Sequence, residues 1–184
     1  MRIAVYSGSF DPLHVGHLAI LTYLNLHFDK VLLVVSPQNP FKGESKAVNS
    51  LERLDAACEV VRQHPELANV EVSDIEFGMS SPQYTYRTLD AIHEKYPLAY
   101  ITLVIGGDNL AVFNHWRCYK HILLDYNVLV YPRLGFDSAK LLETLLRENS
   151  NYHITLADMP LVNISSTEIR EALLKGENID KWLA

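Results

Sequence analysis

The feature that most constrains the fold is a regular alternation of short strand-like runs with stretches of helical spacing. The runs are four to six residues long, most are apolar throughout, and they fall at residues 3–6, 31–35, 70–75, 100–105, 128–131 and 152–156. Apolar strands separated by helices indicate a parallel sheet that is covered on both faces. Right-handed crossovers make such a sheet doubly wound. We therefore expect an α/β chain with a doubly wound, mainly parallel sheet.

Apolar residues at helical spacing fill the gaps between these runs. Leu18, Leu21, Leu24 and Phe28 form the first such series, and further helices are predicted around residues 51–61, 89–96, 116–124 and 141–146. Ser165 opens a last helix to about residue 174, which gives a C-terminal helical element. The 184 residues suffice for one packed core, and no repeat, low-complexity tract or linker divides them. We therefore expect a single domain over residues 1–184.

The charge and cysteine content restrict the class of partner. A formal net charge of −6 argues against nucleic-acid and anionic-membrane partners, which require a basic face, but not against a small anionic ligand. Cys58 and Cys118 lie 60 residues apart without a CxxC pattern, which is typical of reduced thiols. No apolar run approaches the roughly 18 residues that span a bilayer, and the first run is too short for a signal peptide. We expect a cytoplasmic protein with no membrane partner, and a homo-oligomer stays open.

Unusual residues follow the predicted strands at their carboxyl ends, where doubly wound sheets bind ligands. These residues lie in five segments, at 8–17, 37–42, 106–109, 132–133 and 165–167. We expect the five segments to converge on one edge of the sheet.

The first segment, "GSFDPLHVGH" at residues 8–17, lacks the spacing of a Walker loop and of a GxGxxG fingerprint. It predicts a glycine turn and then a helix start near Gly16 and His17, where free N–H groups suit a phosphate. His14 and His17 are three residues apart, close enough to act on one anionic group. A metal site is the weaker interpretation, because no carboxylate, cysteine or third histidine completes one locally.

The last segment lies in "ISSTEIR", residues 164–170, and has the pattern of a capping box with Ser165 at the N-cap and Glu168 three residues later. A well-capped helix explains this pattern by itself. Three hydroxyl groups and Arg170 at a helix N-terminus also form a good cradle for phosphate.

The pairing of "GSFDPLHVGH" with a downstream "ISSTEIR" resembles the HxGH nucleotidyltransferase superfamily. Within it, "SPQYTYRTLD" at residues 81–90 and "IGGDNLAVFNHW" at residues 105–116 are similar to the nicotinate mononucleotide adenylyltransferases of bacterial NAD synthesis. The resemblance covers essentially the whole chain. It implies a Rossmann-like nucleotidyltransferase fold and a reaction that joins nicotinate mononucleotide to the AMP moiety of ATP and releases pyrophosphate.

The resemblance also implies roles for individual residues. Catalytic roles, through contacts to phosphate, fall to His14, His17, Lys42 and Arg170. The ATP site is expected to contain Gly8, Ser9, Phe10, His17, Gly106, Asp108, Ser165, Ser166, Thr167 and Arg170. The pyridine mononucleotide is expected at Tyr84 and Thr85, whose backbone N–H groups receive its carboxylate, at Trp116, which stacks on its ring, and at Arg133.

The implied chemistry needs no protein nucleophile, because the attacking phosphate is already ionised at neutral pH. Catalysis then consists of aligning two anions and neutralising the charge on the departing pyrophosphate. We expect Mg²⁺ as a cofactor, bound mainly through substrate phosphates, and the sequence offers no carboxylate cage as a protein metal site.

The sequence departs from the family pattern at two places. Phe41 stands where the family often has histidine in "PPHK", and Gly107 replaces the alanine of the common "GAD", a change that is conservative in size. Ordinary structural roles also remain open, since Thr85 or Asp108 could cap a helix and Trp116 could be a core aromatic. Other functional interpretations are an adenylyltransferase for nicotinamide mononucleotide or phosphopantetheine, and a non-catalytic adenine-nucleotide sensor.

Overall fold

The sheet is the frame on which the chain is built. The computed structural model describes residues 1–37, 50–161 and 164–184. Within them six parallel strands have the order β3-β2-β1-β4-β5-β6. They are β1 Arg2–Gly8, β2 Lys30–Val35, β3 Val70–Ser73, β4 Tyr100–Gly106, β5 Asn127–Tyr131 and β6 Ile154–Leu156. The predicted doubly wound parallel sheet is confirmed.

Helices follow most of the strands, as the alternation predicts. They are α1 Val15–His27, α2 Ser50–Gln63, α3 Thr85–Lys95, α4 Gly107–Leu110, α5 Tyr119–Asp125, α6 Ser138–Glu148 and α7 Ser166–Leu174. Short 3-10 turns lie at Ile75–Gly78, Phe113–His115 and Asp180–Trp182. In the described part of the chain, no helix is both long enough and apolar enough to cross a membrane.

One predicted helix begins later than expected. The helix predicted from residue 116 begins at Tyr119, because Trp116 ends a 3-10 turn with extended backbone and Cys118 adopts a left-handed conformation with φ 56°. The third predicted strand also stops early, at Ser73, since Ile75 starts a 3-10 turn. The last strand begins at Ile154 rather than at residue 152.

The backbone contacts divide the chain into two compact units. The first comprises Met1–Tyr6 and Tyr84–Val162, and the second comprises Ser7–Gln83 and Asn163–Ala184. Strand β1 contributes to both: Arg2–Tyr6 is in register with Tyr100–Val104, and the Gly8 carbonyl accepts a hydrogen bond from the Ser36 N–H at 2.9 Å. The expectation of a single domain stays a prediction.

Both units contain buried apolar side chains on their strands and helices. In the first unit Leu103, Val128, Leu89, Ile92 and Phe113 are almost wholly buried. In the second unit the same holds for Leu21, Leu24, Val31, Leu33 and Ile169. Side chains of this kind each contribute about 1.5–3 kcal/mol when buried, so the strands are held in place and can position the loops that follow them.

Candidate active site

The loop after β1 turns tightly around the ring of Phe10. Phe10 is buried and has φ 45°, and its ring lies edge-on to His17 with 5.1 Å between centroids. A Cβ atom on Gly8 would meet the Phe10 ring at 3.1–3.4 Å. Gly8 therefore allows the ring to lie directly on the backbone and fixes the course of the loop toward His14.

His14 and His17 cap the helix that follows. The His14 Nδ1 accepts a hydrogen bond from the Gly16 N–H at 3.1 Å, and the His17 Nδ1 accepts one from the His14 N–H at 3.2 Å. The two imidazoles thus form a capping box, and α1 begins at Val15, next to the start predicted near Gly16 and His17. Sequence reasoning missed the caps because histidine is not among the preferred N-cap residues.

This capping fixes the tautomer of both imidazoles. A ring nitrogen that accepts from a backbone N–H carries no proton, so each neutral ring holds its proton on Nε2. The two rings are stacked with centroids 3.7 Å apart and planes 26° apart. His14 is buried and His17 is partly exposed. The pair therefore presents two Nε2–H donors from one rigid helix start.

The N-terminus of α7 lies against the same loop. The Ser166 hydroxyl donates to the Pro12 carbonyl at 3.2 Å, and Arg170 donates to the Asp11 carbonyl at 2.5 Å. A second guanidinium nitrogen of Arg170 donates to the Thr167 hydroxyl at 3.1 Å. The second unit therefore joins the first and last predicted segments, although 154 or more residues separate their bonded members.

The predicted N-cap of α7 is confirmed. The Ser165 hydroxyl accepts from the Glu168 N–H at 3.3 Å. Glu168 differs from the predicted capping box, because its carboxylate accepts from the Ser165 hydroxyl at 2.7 Å. This pairing fixes the first turn of α7 and uses the Glu168 N–H, while the N–H groups of Ser166 and Thr167 have no intrahelical acceptor by the geometry of a helix start and suit an anion.

A buried arginine beneath this loop was not found from the sequence. Arg53 on α2 is 6% exposed and donates to the carbonyls of Ser9, Ser36 and Pro37, the last two at 2.9 and 3.0 Å. Burial lowers the pKa of Arg53, and the nearby charge of Asp11 opposes that shift. The guanidinium joins the loop after β1 to the loop after β2. A single arginine in a helix pattern gives no signal of this role.

A buried carboxylate supports the same two strand ends. Glu76 is 3% exposed and accepts hydrogen bonds from the hydroxyls of Ser36 at 2.6 Å and Ser7 at 3.4 Å. Buried carboxylates are costly unless they are hydrogen-bonded in this way. Glu76 lies in the 3-10 turn after β3, directly beyond the strand predicted at residues 70–75, and nothing in the sequence indicated this turn or its contacts.

In the first unit the predicted residues after β4 and β5 come together. The Nε atom of Arg133 lies 3.4 Å from the Asp108 carboxylate, and its guanidinium carbon is 5.8 Å from the Tyr131 ring centroid. A Cβ atom on Gly106 would lie 2.3 Å from the Asp108 carboxylate and 3.1 Å from the Arg133 side chain. Only glycine fits at position 106 without moving this pair. Asp108 is not the N-cap of α4, a position that Gly106 occupies.

A pair of tyrosines lies under this cluster. The rings of Tyr6 and Tyr131 meet edge to face at 6.0 Å. Burial is the main cause that raises the pKa of both phenols, and the Arg133 charge opposes it. Both hydroxyls therefore stay protonated at neutral pH and serve as hydrogen-bonding groups rather than as bases.

Tyr84 and Thr85 lie at the start of α3. Tyr84 is the N-cap through its backbone, and its carbonyl accepts from the N–H groups of Arg87 at 2.9 Å and Thr88 at 3.3 Å. Thr85 is the first helical residue and not a cap. The N–H groups of Tyr84, Thr85 and Tyr86 come before these two bonds and have no intrahelical acceptor by the geometry of a helix start, so this segment offers donors suited to a carboxylate.

Trp116 ends the 3-10 turn Phe113–His115 and is partly exposed. Its ring packs on the buried Phe113 with centroids 4.9 Å apart. The indole is thus supported by the core of the first unit. Lys42 and Phe41 lie outside the described residues. Among the residues that the structure describes, no group of three or more His, Cys, Asp or Glu side chains could hold a metal ion.

Comparison with known proteins adds sequence and fold relationships. A family model described as cytidylyltransferase-like matches residues 5–172. A relative from Cytophaga hutchinsonii, named "Probable nicotinate-nucleotide adenylyltransferase", is 40% identical over 100% of this chain and 91% of its own. A relative of the same name from Azobacteroides pseudotrichonymphae is 35% identical over 97% of this chain and 90% of its own.

Among solved structures, the Plasmodium falciparum nicotinic acid mononucleotide adenylyltransferase complexed with NaAD has a similar fold. Its TM-score is 0.80 at 20% identity, over 99% of this chain and 90% of that one. This likeness confirms the expected Rossmann-like nucleotidyltransferase fold.

Proposed function

The chain belongs to the cytidylyltransferase-like family, and from that premise we propose that it is a nicotinate-nucleotide adenylyltransferase. It transfers the AMP moiety of ATP to nicotinate mononucleotide, which yields nicotinate adenine dinucleotide and pyrophosphate. Full-length relatives that carry this name support the assignment. The structural observation that carries it is the joining of two distant phosphate-type motifs, through Ser166 and Arg170 on α7 and the carbonyls of Pro12 and Asp11.

We assign the ATP phosphates to the second unit. The Nε2–H groups of His14 and His17 donate to phosphate oxygens, and the α7 N-terminus with Ser165, Ser166 and Thr167 holds the phosphates that leave. Arg170 supplies a fixed positive charge beside them. Donors that are already oriented cost no reorganisation when charge develops on pyrophosphate, so they favour the transition state.

Other contacts complete the proposed ATP site. The loop of Gly8, Ser9 and Phe10 lets the nucleotide approach the backbone, and Lys42 adds a positive charge. Gly106 and Asp108 after β4 are assigned to the ATP site as well, where the Asp108 carboxylate accepts from ribose hydroxyls.

We assign the pyridine mononucleotide to the first unit. The N–H groups at the start of α3, at Tyr84 and Thr85, receive the pyridine carboxylate, aided by the positive end of the helix dipole. Trp116 stacks on the ring, and Arg133 pairs with the phosphate that attacks. Backbone donors match a carboxylate better than an amide, which favours nicotinate over nicotinamide.

Mg²⁺ is the proposed cofactor, and its ligands are substrate phosphate oxygens and water. The described residues contain no group of three or more His, Cys, Asp or Glu side chains that could hold a metal ion, and the proposal has the ion arrive with ATP. When bound, the ion neutralises part of the charge on the departing pyrophosphate.

The proposed setting of the enzyme is the cytoplasm. We propose ATP and a pyridine mononucleotide as the partners, with no nucleic acid among them. The net charge of −6 supports this choice, because nucleic-acid binding requires a basic surface.

The test is pyrophosphate release from ATP in separate mixtures with nicotinate mononucleotide, nicotinamide mononucleotide and phosphopantetheine. We expect the highest kcat/KM with nicotinate mononucleotide, because only this substrate carries the pyridine carboxylate. Faster turnover of either other substrate would reassign the specificity. ATP binding without pyrophosphate release from any mixture would identify a nucleotide sensor.

A further inference from the structure

His121 on α5 lies between two carboxylates. Its Nε2 is 2.9 Å from an oxygen of Asp90 on α3, and its Nδ1 is 2.6 Å from an oxygen of Asp125, one turn further along α5. A carboxylate accepts hydrogen bonds, so both ring nitrogens must donate, and the ring is then a positively charged imidazolium. The charged ring connects two helices of the first unit.

The same Asp90 oxygen receives a second donor. The Tyr126 hydroxyl, directly after α5, donates to it at 2.6 Å. Asp90 on α3 is therefore held by both ends of one short segment, residues 121–126. This arrangement restrains α3 against α5 more firmly than one ion pair on a surface does, since surface pairs contribute little.

A series of ring contacts extends from His121 to the start of α3. The His121 ring meets the Tyr86 ring edge to face at 6.3 Å, and the Tyr86 ring is nearly parallel to the Tyr84 ring at 6.1 Å. These separations are within the range of favourable aromatic pairs, so Tyr86 connects the ring of His121 to the ring of Tyr84. The position of His121 thus bears on Tyr84, the N-cap of α3.

The other helix is joined to Trp116. The N–H of Tyr119, the first residue of α5, donates to the Trp116 carbonyl at 3.2 Å. The pair Asp90–His121 therefore links the backbone that carries Trp116 with the backbone that carries Tyr84 and Thr85. These are the residues to which the proposed function assigns the pyridine ring and its carboxylate.

We propose that His121 is a positioning residue that joins α3 to α5 and so sets the affinity for the pyridine mononucleotide, without touching that substrate. This inference rests on the proposed function for its substrate. It predicts that the charge of His121 controls the KM for the mononucleotide and leaves the KM for ATP unchanged.

His121 is exposed enough to exchange protons with the solvent. The side chains of His121 and Asp90 are 39% and 41% exposed. The groups that face the ring are Asp90 and Tyr86 from α3, Asp125 from α5 and Tyr126 after it, while His93 and Glu94 of α3 adjoin Tyr126. The hydrogen bond to Asp90 is the main cause that raises the pKa of His121 above its ordinary value, with Asp125 adding to it and burial opposing.

The sign of the pH effect follows from this direction. The hydrogen bonds from the charged His121 ring to both Asp90 and Asp125 are fully formed at pH values below the ordinary histidine pKa of about 6.5. One of the two is lost as the pH rises through the higher pKa of the folded protein, because the neutral ring can donate from one nitrogen only.

The experiment measures KM for nicotinate mononucleotide and for ATP between about pH 5.5 and about pH 9, a range that brackets histidine titration. His121→Gln removes the charge, and His121→Arg keeps a charge and two donors at every pH. The ratio of wild-type KM to His121→Arg KM cancels the titration of the substrate and of every other residue. The matched control is Lys120→Gln, which breaks the ion pair of the adjacent residue with Glu148, 2.8 Å long.

We expect His121→Gln to raise the KM for nicotinate mononucleotide about two- to fivefold at low pH, the scale of a partly exposed ion pair. The KM for ATP stays unchanged in this variant, and Lys120→Gln resembles wild type. The wild-type to His121→Arg ratio should rise with pH. A flat ratio, or a mononucleotide KM in His121→Gln equal to that of Lys120→Gln, would overturn the proposal.

A second measurement needs no turnover. NMR titration of the His121 ring should show a lower midpoint in Asp125→Asn than in wild type, because one of the two carboxylates is neutralised. An unchanged midpoint would contradict the bridge itself, even if His121→Gln did not fold. If wild type releases no pyrophosphate with nicotinate mononucleotide while the midpoint still moves, the proposed function has failed and the helix linkage has not.

Discussion

At the scale of single residues, Gly107 shows how a small change can be constrained by a distant neighbour. The sequence alone suggests that glycine for alanine in "GAD" is conservative in size, and the structure corrects this. A Cβ atom on Gly107 would lie 2.4 Å from the Ser138 Oγ and 3.4 Å from the Phe136 Cβ. The Ser138 hydroxyl occupies the space that an alanine methyl group would need.

We predict that Gly107→Ala lowers the free energy of unfolding by about 1 kcal/mol, the lower end of overpacking costs, since the serine side chain can rotate. Ser138→Ala alone should be neutral or slightly stabilising, because its buried Oγ has no hydrogen-bond partner among the described residues. The double variant should recover the free energy of unfolding that Gly107→Ala alone loses. Urea unfolding of the four proteins gives the coupling energy, and a coupling of zero would refute the explanation.

Several site residues could be predicted because a motif carries them. His14, His17, Ser166 and Arg170 come from short patterns at the two ends of the chain, and the second unit brings them together. Arg53 could not be predicted in this way. Its role depends on three backbone carbonyls. Every residue has such a carbonyl, so the sequence does not indicate which ones accept from Arg53.

At the scale of elements, the N-terminus of α1 combines a structural and a chemical role in His14. The Nδ1 atom caps the helix, and the Nε2–H is the proposed donor to phosphate. The two roles can be separated, because asparagine is a preferred N-cap residue and lacks a donor at the position of Nε2.

We predict that His14→Asn keeps more stability than His14→Ala, by about 1 kcal/mol, the usual value of an N-cap. Both variants should lose at least about a hundredfold in kcat, as when an oriented donor to a developing charge is removed. Thermal unfolding and pyrophosphate release measure the two effects on the same preparations. Normal turnover in His14→Asn would exclude the catalytic role of His14.

Periodicity predicted the elements well where burial is continuous. Strands β1, β2, β4 and β5 match their apolar runs within two residues. Helix α4 and the 3-10 turns were not predicted, because elements of three or four residues are too short to show a period. Helix α5 was placed early because its apolar pattern extends upstream into residues whose backbone is not helical.

At the scale of the whole molecule, β1 is the strand that the two compact units share. Arg2–Tyr6 pairs with β4 of the first unit, and Gly8 bonds to Ser36 of the second. Unfolding of either unit would therefore remove pairing partners from the same strand.

We predict one cooperative thermal transition, in which the calorimetric enthalpy equals the van't Hoff enthalpy. Differential scanning calorimetry makes this measurement, and it tests the single-domain expectation directly. Two separated transitions would mean that the units unfold independently. The single-domain expectation came from the chain length and the lack of a linker. The division into two compact units depends on contacts between residues far apart in the chain, which composition does not reveal.

Arg53 has a consequence for the direction of an amide in the loop after β1. The peptide bond between Ser9 and Phe10 is trans, so its carbonyl and its N–H point to opposite sides of one rigid plane. Because the guanidinium holds the Ser9 carbonyl toward the protein interior, the Phe10 N–H is turned the other way. The buried Arg53 side chain thereby sets the orientation of a backbone donor in the loop that the proposed function assigns to ATP.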